Sequence, residues 1–233
     1  QGTKSADYIA DNNLATKVAV IYNSSDAYSS GIYNNFVKEA QVKGLEIVSS
    51  EAFTDDSKTD FSVQLNKSKS SGADLVFLPI YAQEASQILE QANTMGYTTT
   101  FFGCDGLDGI LAIEGFNTSL AEGVVLLTPF VAGDTKSEAN VNFTNKYIEK
   151  YKDTPNQFAA DAYDAIYILA ECMKKGNVTA DMSVSEICDI LKAQIVNITY
   201  DGLTGEGITF DASGAVNKSP NAMKIQDGKY VAM

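Results

Sequence analysis

The chain has 233 residues, 45% of them hydrophobic and 20% charged, close to the globular average and enough for a real core. Thirty acids against seventeen bases give a net charge of −13, and every base is Lys, with no Arg, His or Trp. A chain this acidic repels nucleic acid and anionic membrane surfaces. Without His there is no Ser-His-Asp triad, no Cys-His pair and no His-ligated zinc; without Arg there is no guanidinium clamp for phosphate.

The first half alternates helix and strand patterns. Residues 4–13, KSADYIADNN, predict a helix with Ala6, Ile9 and Ala10 inward. KVAVIY (17–22) is a β-branched run that predicts a buried strand. A polar turn follows, and then a helix over 33–42 with Phe36, Val37 and Ala40 on one face. The cycle repeats with a strand at 45–53, a helix at 60–69 opened by Asp60, and a strand at 74–80. A helix at 83–95 turns Ala85, Ile88, Leu89 and Ala92 inward; a strand at 100–103, a short helix at 107–113 and a strand at 124–128 complete the series. Single helices between strands require crossover connections, hence a mainly parallel sheet with helices on both faces.

After Pro129 the pattern changes. Helices are predicted over 137–151, 156–174 and 184–195 with no strand between them; the long middle one carries Phe158, Ala162, Ala165, Ile166 and Leu169 on its apolar stripe. The faces of the first sheet are already covered, so these helices are assigned to a second lobe. DGLTGEGITFD (201–211) reads as a turn and a short strand, and Asp227-Gly228 in the tail signals a hairpin returning to the first sheet.

Motifs of common chemistry are absent. There is no GxxxxGK[ST], no GxGxxG after a strand and no GxSxG. Asp105 and Asp108 in CDGLDG have the look of a calcium loop but lack its other ligands, so no metal is assigned. Asn-x-Ser/Thr sequons such as that at Asn142 are read as chance in a chain rich in Asn and Ser. Cys104, Cys172 and Cys188 form no CxxC pair; Cys172 and Cys188 could bridge if their helices are antiparallel neighbours, and free burial is the competing reading. No apolar run approaches the ~20 residues needed to span a bilayer. Gln1 opens straight into a helical pattern without a leader signature, which does not argue for the cytoplasm.

What survives is positional. In a doubly wound sheet, ligands bind outside the carboxyl ends of the strands. Ser25, Asp26 and Tyr28 follow the first strand, Tyr81 the third, and Cys104, Asp105 and Gly106 the fourth. Two tyrosines and one carboxylate at one sheet edge suit a small cationic or zwitterionic ligand such as an amino acid, because an ammonium taken out of water requires an opposite charge. Each residue also has a structural alternative: Tyr28 and Tyr81 as packing groups, Asp105 as the N-cap of the helix at 107–113.

At these residues the chain resembles the leucine/isoleucine/valine-binding type of periplasmic substrate-binding protein, the type I class that serves ABC importers. The stretches that carry the resemblance are QGTKSADYIADN, KVAVIYNSSDAYSSGI, TDFSVQLNKSKSSGADLVFLPIYAQEASQILEQANTMGY, FFGCDGLDG, AEGVVLLTPF and TPNQFAADAYDAIYIL. The resemblance implies an α/β fold of two hinged lobes that close around an amino acid, with no enzymatic activity and no cofactor. It implies ligand-binding roles for Tyr28 and Tyr81, an ammonium-holding role for Asp105, and a place near the ligand side chain for Phe158. It implies delivery to an ABC permease outside the cytoplasm, and the all-Lys composition suggests a lipid-anchored protein of a Gram-positive cell. Members of the family carry most of one lobe ahead of the position of Gln1. Residues 1–130 and 211–233 are therefore expected to form one complete lobe and 131–210 the helical remainder of the other. Residues 137–195 should then expose apolar stripes that a companion N-terminal fragment or an oligomer contact covers. A sensor module of the same architecture is the alternative function; the missing His, Arg and nucleophile motifs argue against an enzyme.

Overall fold

A computed structural model describes residues 1–233. The chain divides into two compact units, Gln1–Thr128 with Ala222–Met233, and Pro129–Asn221.

The first unit follows the alternation of its sequence. Helix α1 (Gly2–Asp11) leads into β1 (Lys17–Asn23), α2 (Ala27–Lys43), β2 (Glu46–Phe53), α3 (Ser62–Ser70), β3 (Leu75–Leu78), α4 (Ala82–Thr94), β4 (Thr100–Gly103) and β5 (Val125–Thr128). Helix α2 starts six residues before the expected position, because the Asp26 carboxylate accepts from the Ser29 amide at 2.8 Å and caps it there. The short helix expected at 107–113 is instead two 3₁₀ turns, Asp105–Leu107 and Ile110–Ala112, separated by Gly109 at φ 91°. The tail forms β8 (Asn221–Gln226) and β9 (Lys229–Ala232) after the short strands β6 (Thr209–Phe210) and β7 (Val216–Asn217) of the second unit. Asp227 and Gly228 both have positive φ, 53° and 68°, as a two-residue hairpin turn demands.

The seven-stranded sheet has the order β2-β1-β3-β4-β5-β8-β9. Its first four pairings are parallel and the β8–β9 pairing antiparallel. Val18, Val20, Phe77 and Phe102 meet Ala6, Ile9, Phe36 and Ala40 of α1 and α2 in one core, where the Phe36 and Phe77 rings stack at 4.1 Å. The alternate residues Ala19, Ile21, Val76 and Leu78 are equally buried and face the other side of the sheet. Helices α1 and α2 approach so closely that a Cβ on Gly2 would lie 2.2 Å from the Ile32 carbonyl oxygen and 2.7 Å from the Phe36 nitrogen. Both obstacles are backbone. Gly2→Ala is therefore expected to cost about 1–3 kcal/mol of stability by overpacking, read as a lower urea midpoint.

The second unit holds α5 (Glu138–Tyr151), α6 (Gln157–Lys175) and α7 (Val184–Ile195), each N-capped by the side chain of the preceding residue, Ser137, Asn156 or Ser183. Residues 211–221, assigned from sequence to the first lobe, fall in this unit, because Thr209–Phe210 pairs with Val216–Asn217 before the chain returns to the main sheet. Ile168, Cys172 and Ile198 form its small core with Leu191, Ile195, Tyr200 and Phe210. Helix α6 buries Gln157, Ala160, Asp164, Ile168 and Cys172. The stripe named from sequence faces outward instead, with Ile166 66% and Phe158 46% exposed. All three cysteines are free; Cys172 is buried and Cys188 exposed, so the bridge considered between them does not form.

Candidate ligand-binding site

The strand order of the first unit reverses between β1 and β3. The chain leaves β1 toward β2 and then crosses back to β3. The loops at the carboxyl ends of these two strands diverge, which opens a crevice suited to ligands. Tyr28 sits in the first turn of α2, after β1, and Tyr81 is the N-cap residue of α4, after β3. Their rings stack across the crevice with centroids 4.8 Å apart and planes at 22°. Such a pair contributes about 0.5–1.5 kcal/mol beyond its buried area. Tyr81 is 43% exposed and presents the outer face of the stack.

Asp105 comes to the same place from the end of β4. Its Oδ1 accepts from the Tyr28 hydroxyl at 2.7 Å, and its Oδ2 accepts from the Gln1 side-chain amide at 2.6 Å. The backbone amide of Gly106 donates to the Tyr28 oxygen at 2.9 Å. A Cβ at position 106 would lie 2.6 Å from that oxygen and 2.5 Å from the Ile80 carbonyl. Only glycine lets the phenol approach. Asp105 does not act as the side-chain N-cap considered from sequence; the turn it opens has Cys104 at that position, with no side-chain cap.

The electrostatics are consistent with a fixed, proton-bearing phenol beside a carboxylate. Burial above all, then the neighbouring Cys104 and Asp105, push the Tyr28 phenol up, so it remains a donor. Burial, with Asp26, Asp105 and Glu84 behind it, also raises Tyr81. The Cys104 thiol is pushed up to about 12 by burial and lies 3.4 Å from the Ser5 hydroxyl. It is a packed neutral thiol.

Of the four residues named from sequence, the fold brings Tyr28, Tyr81 and Asp105 together. Phe158 stands in the first turn of α6, in the second unit. Two participants were missed. Gly106 was named only as a neighbour of Asp105, and its glycine character beside a β-strand end was the available signal. Gln1 carries no such signal, because it precedes a helix, whereas the fold directs attention to residues that follow strands.

A family model described as periplasmic binding protein matches residues 1–229. The chain belongs to the periplasmic binding protein family. The Leu/Ile/Val-binding protein homolog 3 of Brucella melitensis is 27% identical over 98% of this chain and 59% of its own length. The Leu/Ile/Val-binding protein of Escherichia coli K12 is 26% identical over 88% of this chain and 53% of its own. This periplasmic binding protein thus spans somewhat more than half of the length of these two curated relatives. Among solved structures, the branched-chain amino acid transporter substrate-binding protein of Streptococcus pneumoniae, in complex with isoleucine, superposes with a TM-score of 0.82. It is 28% identical and is matched over 100% of this chain and 63% of its own. A leucine-binding protein of Thermotoga maritima superposes at 0.83 with 24% identity, covering 100% and 64%, which speaks for the fold. The α/β fold is the type I arrangement that the sequence resemblance implies.

Proposed function

We propose that this periplasmic binding protein captures an amino acid, branched-chain or similar, outside the cytoplasm and hands it to an ABC permease at the membrane. The observation that carries the reading is the Tyr28–Asp105–Tyr81 constellation at the switch point of the sheet. Asp105 receives the ligand's α-ammonium, and Tyr81 offers its exposed ring as a wall. The Tyr28 hydroxyl is engaged with Asp105 and Gly106, so its part is to hold the carboxylate while its ring backs Tyr81. The names of the relatives support an amino acid as cargo: those proteins are Leu/Ile/Val-binding proteins, and one was solved with isoleucine. Anchoring by lipid at a Gram-positive cell surface is the finer form of the same reading, and it rests on composition alone.

A thermal-shift screen of the twenty amino acids tests the proposal. A ligand that binds only the native state at one hundred times its Kd adds about 2.7 kcal/mol, so leucine, isoleucine or valine is expected to raise the melting temperature by several degrees. No shift with any amino acid would refute the reading.

A further inference from the structure

The geometry points to Gln1 as a positioning residue of the ammonium site, acting through Asp105; the inference rests on the amino-acid-binding reading above. Gln1 is placed with care. It is the N-cap residue of α1, its carbonyl accepting from the Ser5 amide at 2.8 Å. The next residue is Gly2, the point of closest approach between α1 and α2. Helix α2 also carries Tyr28. One helix crossing therefore sets where the Gln1 amide and the Tyr28 phenol stand relative to each other.

Their effect on Asp105 is complementary. Tyr28 donates to one carboxylate oxygen and Gln1 to the other, and the Gln1 carbonyl oxygen lies 3.5 Å from the Tyr28 hydroxyl. One donor on each oxygen fixes the plane of the carboxylate. Both donors are neutral, so the orientation is achieved without cancelling the negative charge. A Lys in the place of Gln1 would hold the group as well but would compete with the ligand's ammonium for the same charge. Preorganised polar groups of this kind gain affinity by removing the cost of ordering them on binding. The same amide also favours cargo with an α-ammonium over an analogue with a hydroxyl in its place, because the oriented anion is what distinguishes the two.

A double-mutant cycle decides the matter, with L-leucine, L-isoleucine and L-valine as probes and the full-length protein in the calorimeter. Gln1→Met keeps the length of the side chain and removes the donor. It is expected to weaken binding about ten- to a hundred-fold, the range for a hydrogen bond to a charged group. In an Asp105→Asn background the same change is expected to have almost no further effect, because a residue that works through Asp105 has nothing left to orient. Losses that multiply in the double variant would overturn the inference, as would wild-type affinity in Gln1→Met. Gln1 is exposed, so a melting curve close to wild type is expected, and a general folding defect would appear as additive losses. Failure of the underlying reading looks different: Asp105→Asn alone would bind the three probes as wild type does, or wild type would bind none of them.

Discussion

Asp105→Ala is expected to weaken amino-acid binding by about 2–5 kcal/mol, as for truncation of one partner in a buried charge pair. On the affinity scale that lies between about thirty-fold and several thousand-fold. An α-ammonium taken out of water has lost its hydration, and an opposite charge is the strongest compensation available. The chain has no second candidate at this edge with the same support: Asp105 alone is gripped by both a half-buried phenol and a side-chain amide. The loss should be specific. An analogue lacking the ammonium, 4-methyl-2-hydroxypentanoate in place of leucine, should bind the variant and the wild type alike, because it never used the charge. Calorimetry on both ligands checks this. An Asp105→Ala protein that holds leucine with undiminished affinity removes Asp105 from the site, and an equal loss for both ligands reassigns it to scaffold.

Much of this was legible in the residues. β1, β4 and α7 appear within a residue of where β-branched runs and helical periodicity place them; the two strands are buried runs, and α7 is started by the capping box of Ser183 and Glu186. The clustering of Tyr28, Tyr81 and Asp105 was legible for a related reason: residues after parallel strands converge at one edge whatever the loop details. Two features were hidden. The Gln1 contact joins positions 104 residues apart through a helix crossing, and no local pattern reports such a crossing except the glycine beside it. The orientation of α6 was hidden because that helix has two faces able to be buried. Its most apolar row, including Ile166, is outward in this unit, while a row containing Gln157 and Asp164 is inward. Periodicity ranks faces by hydrophobicity, but a polar group can be buried when a loop supplies its hydrogen bonds.

That loop leads to the largest stability effect expected. Asp164 is 2% exposed, and its carboxylate accepts from the Leu203 amide at 2.9 Å and from the Thr204 amide and hydroxyl at 2.8 Å each. It lines an open groove of about 610 Å³ with Phe143, Tyr147, Tyr163, Tyr167 and Tyr200. A carboxylate among tyrosines is the same set of residue types as the site around Asp105, so the two invite the same interpretation. Their partners separate them. Asp105 is oriented by side chains at a strand end, whereas Asp164 takes up the backbone donors of a turn that has no sheet or helix to satisfy them. Its task is to pin residues 203–204 against α6. Asp164→Ala leaves three donors in a buried place without an acceptor, at about 1–3 kcal/mol each before relaxation. A net loss of about 3–5 kcal/mol is expected, among the largest single-residue effects a domain shows. Asp164→Asn should recover only part of it, since one of its two polar atoms is itself a donor facing donors. Urea denaturation followed by tyrosine fluorescence reads both variants. A loss below about 1 kcal/mol for Asp164→Ala, together with a change in amino-acid affinity, would show the carboxylate serving a ligand after all.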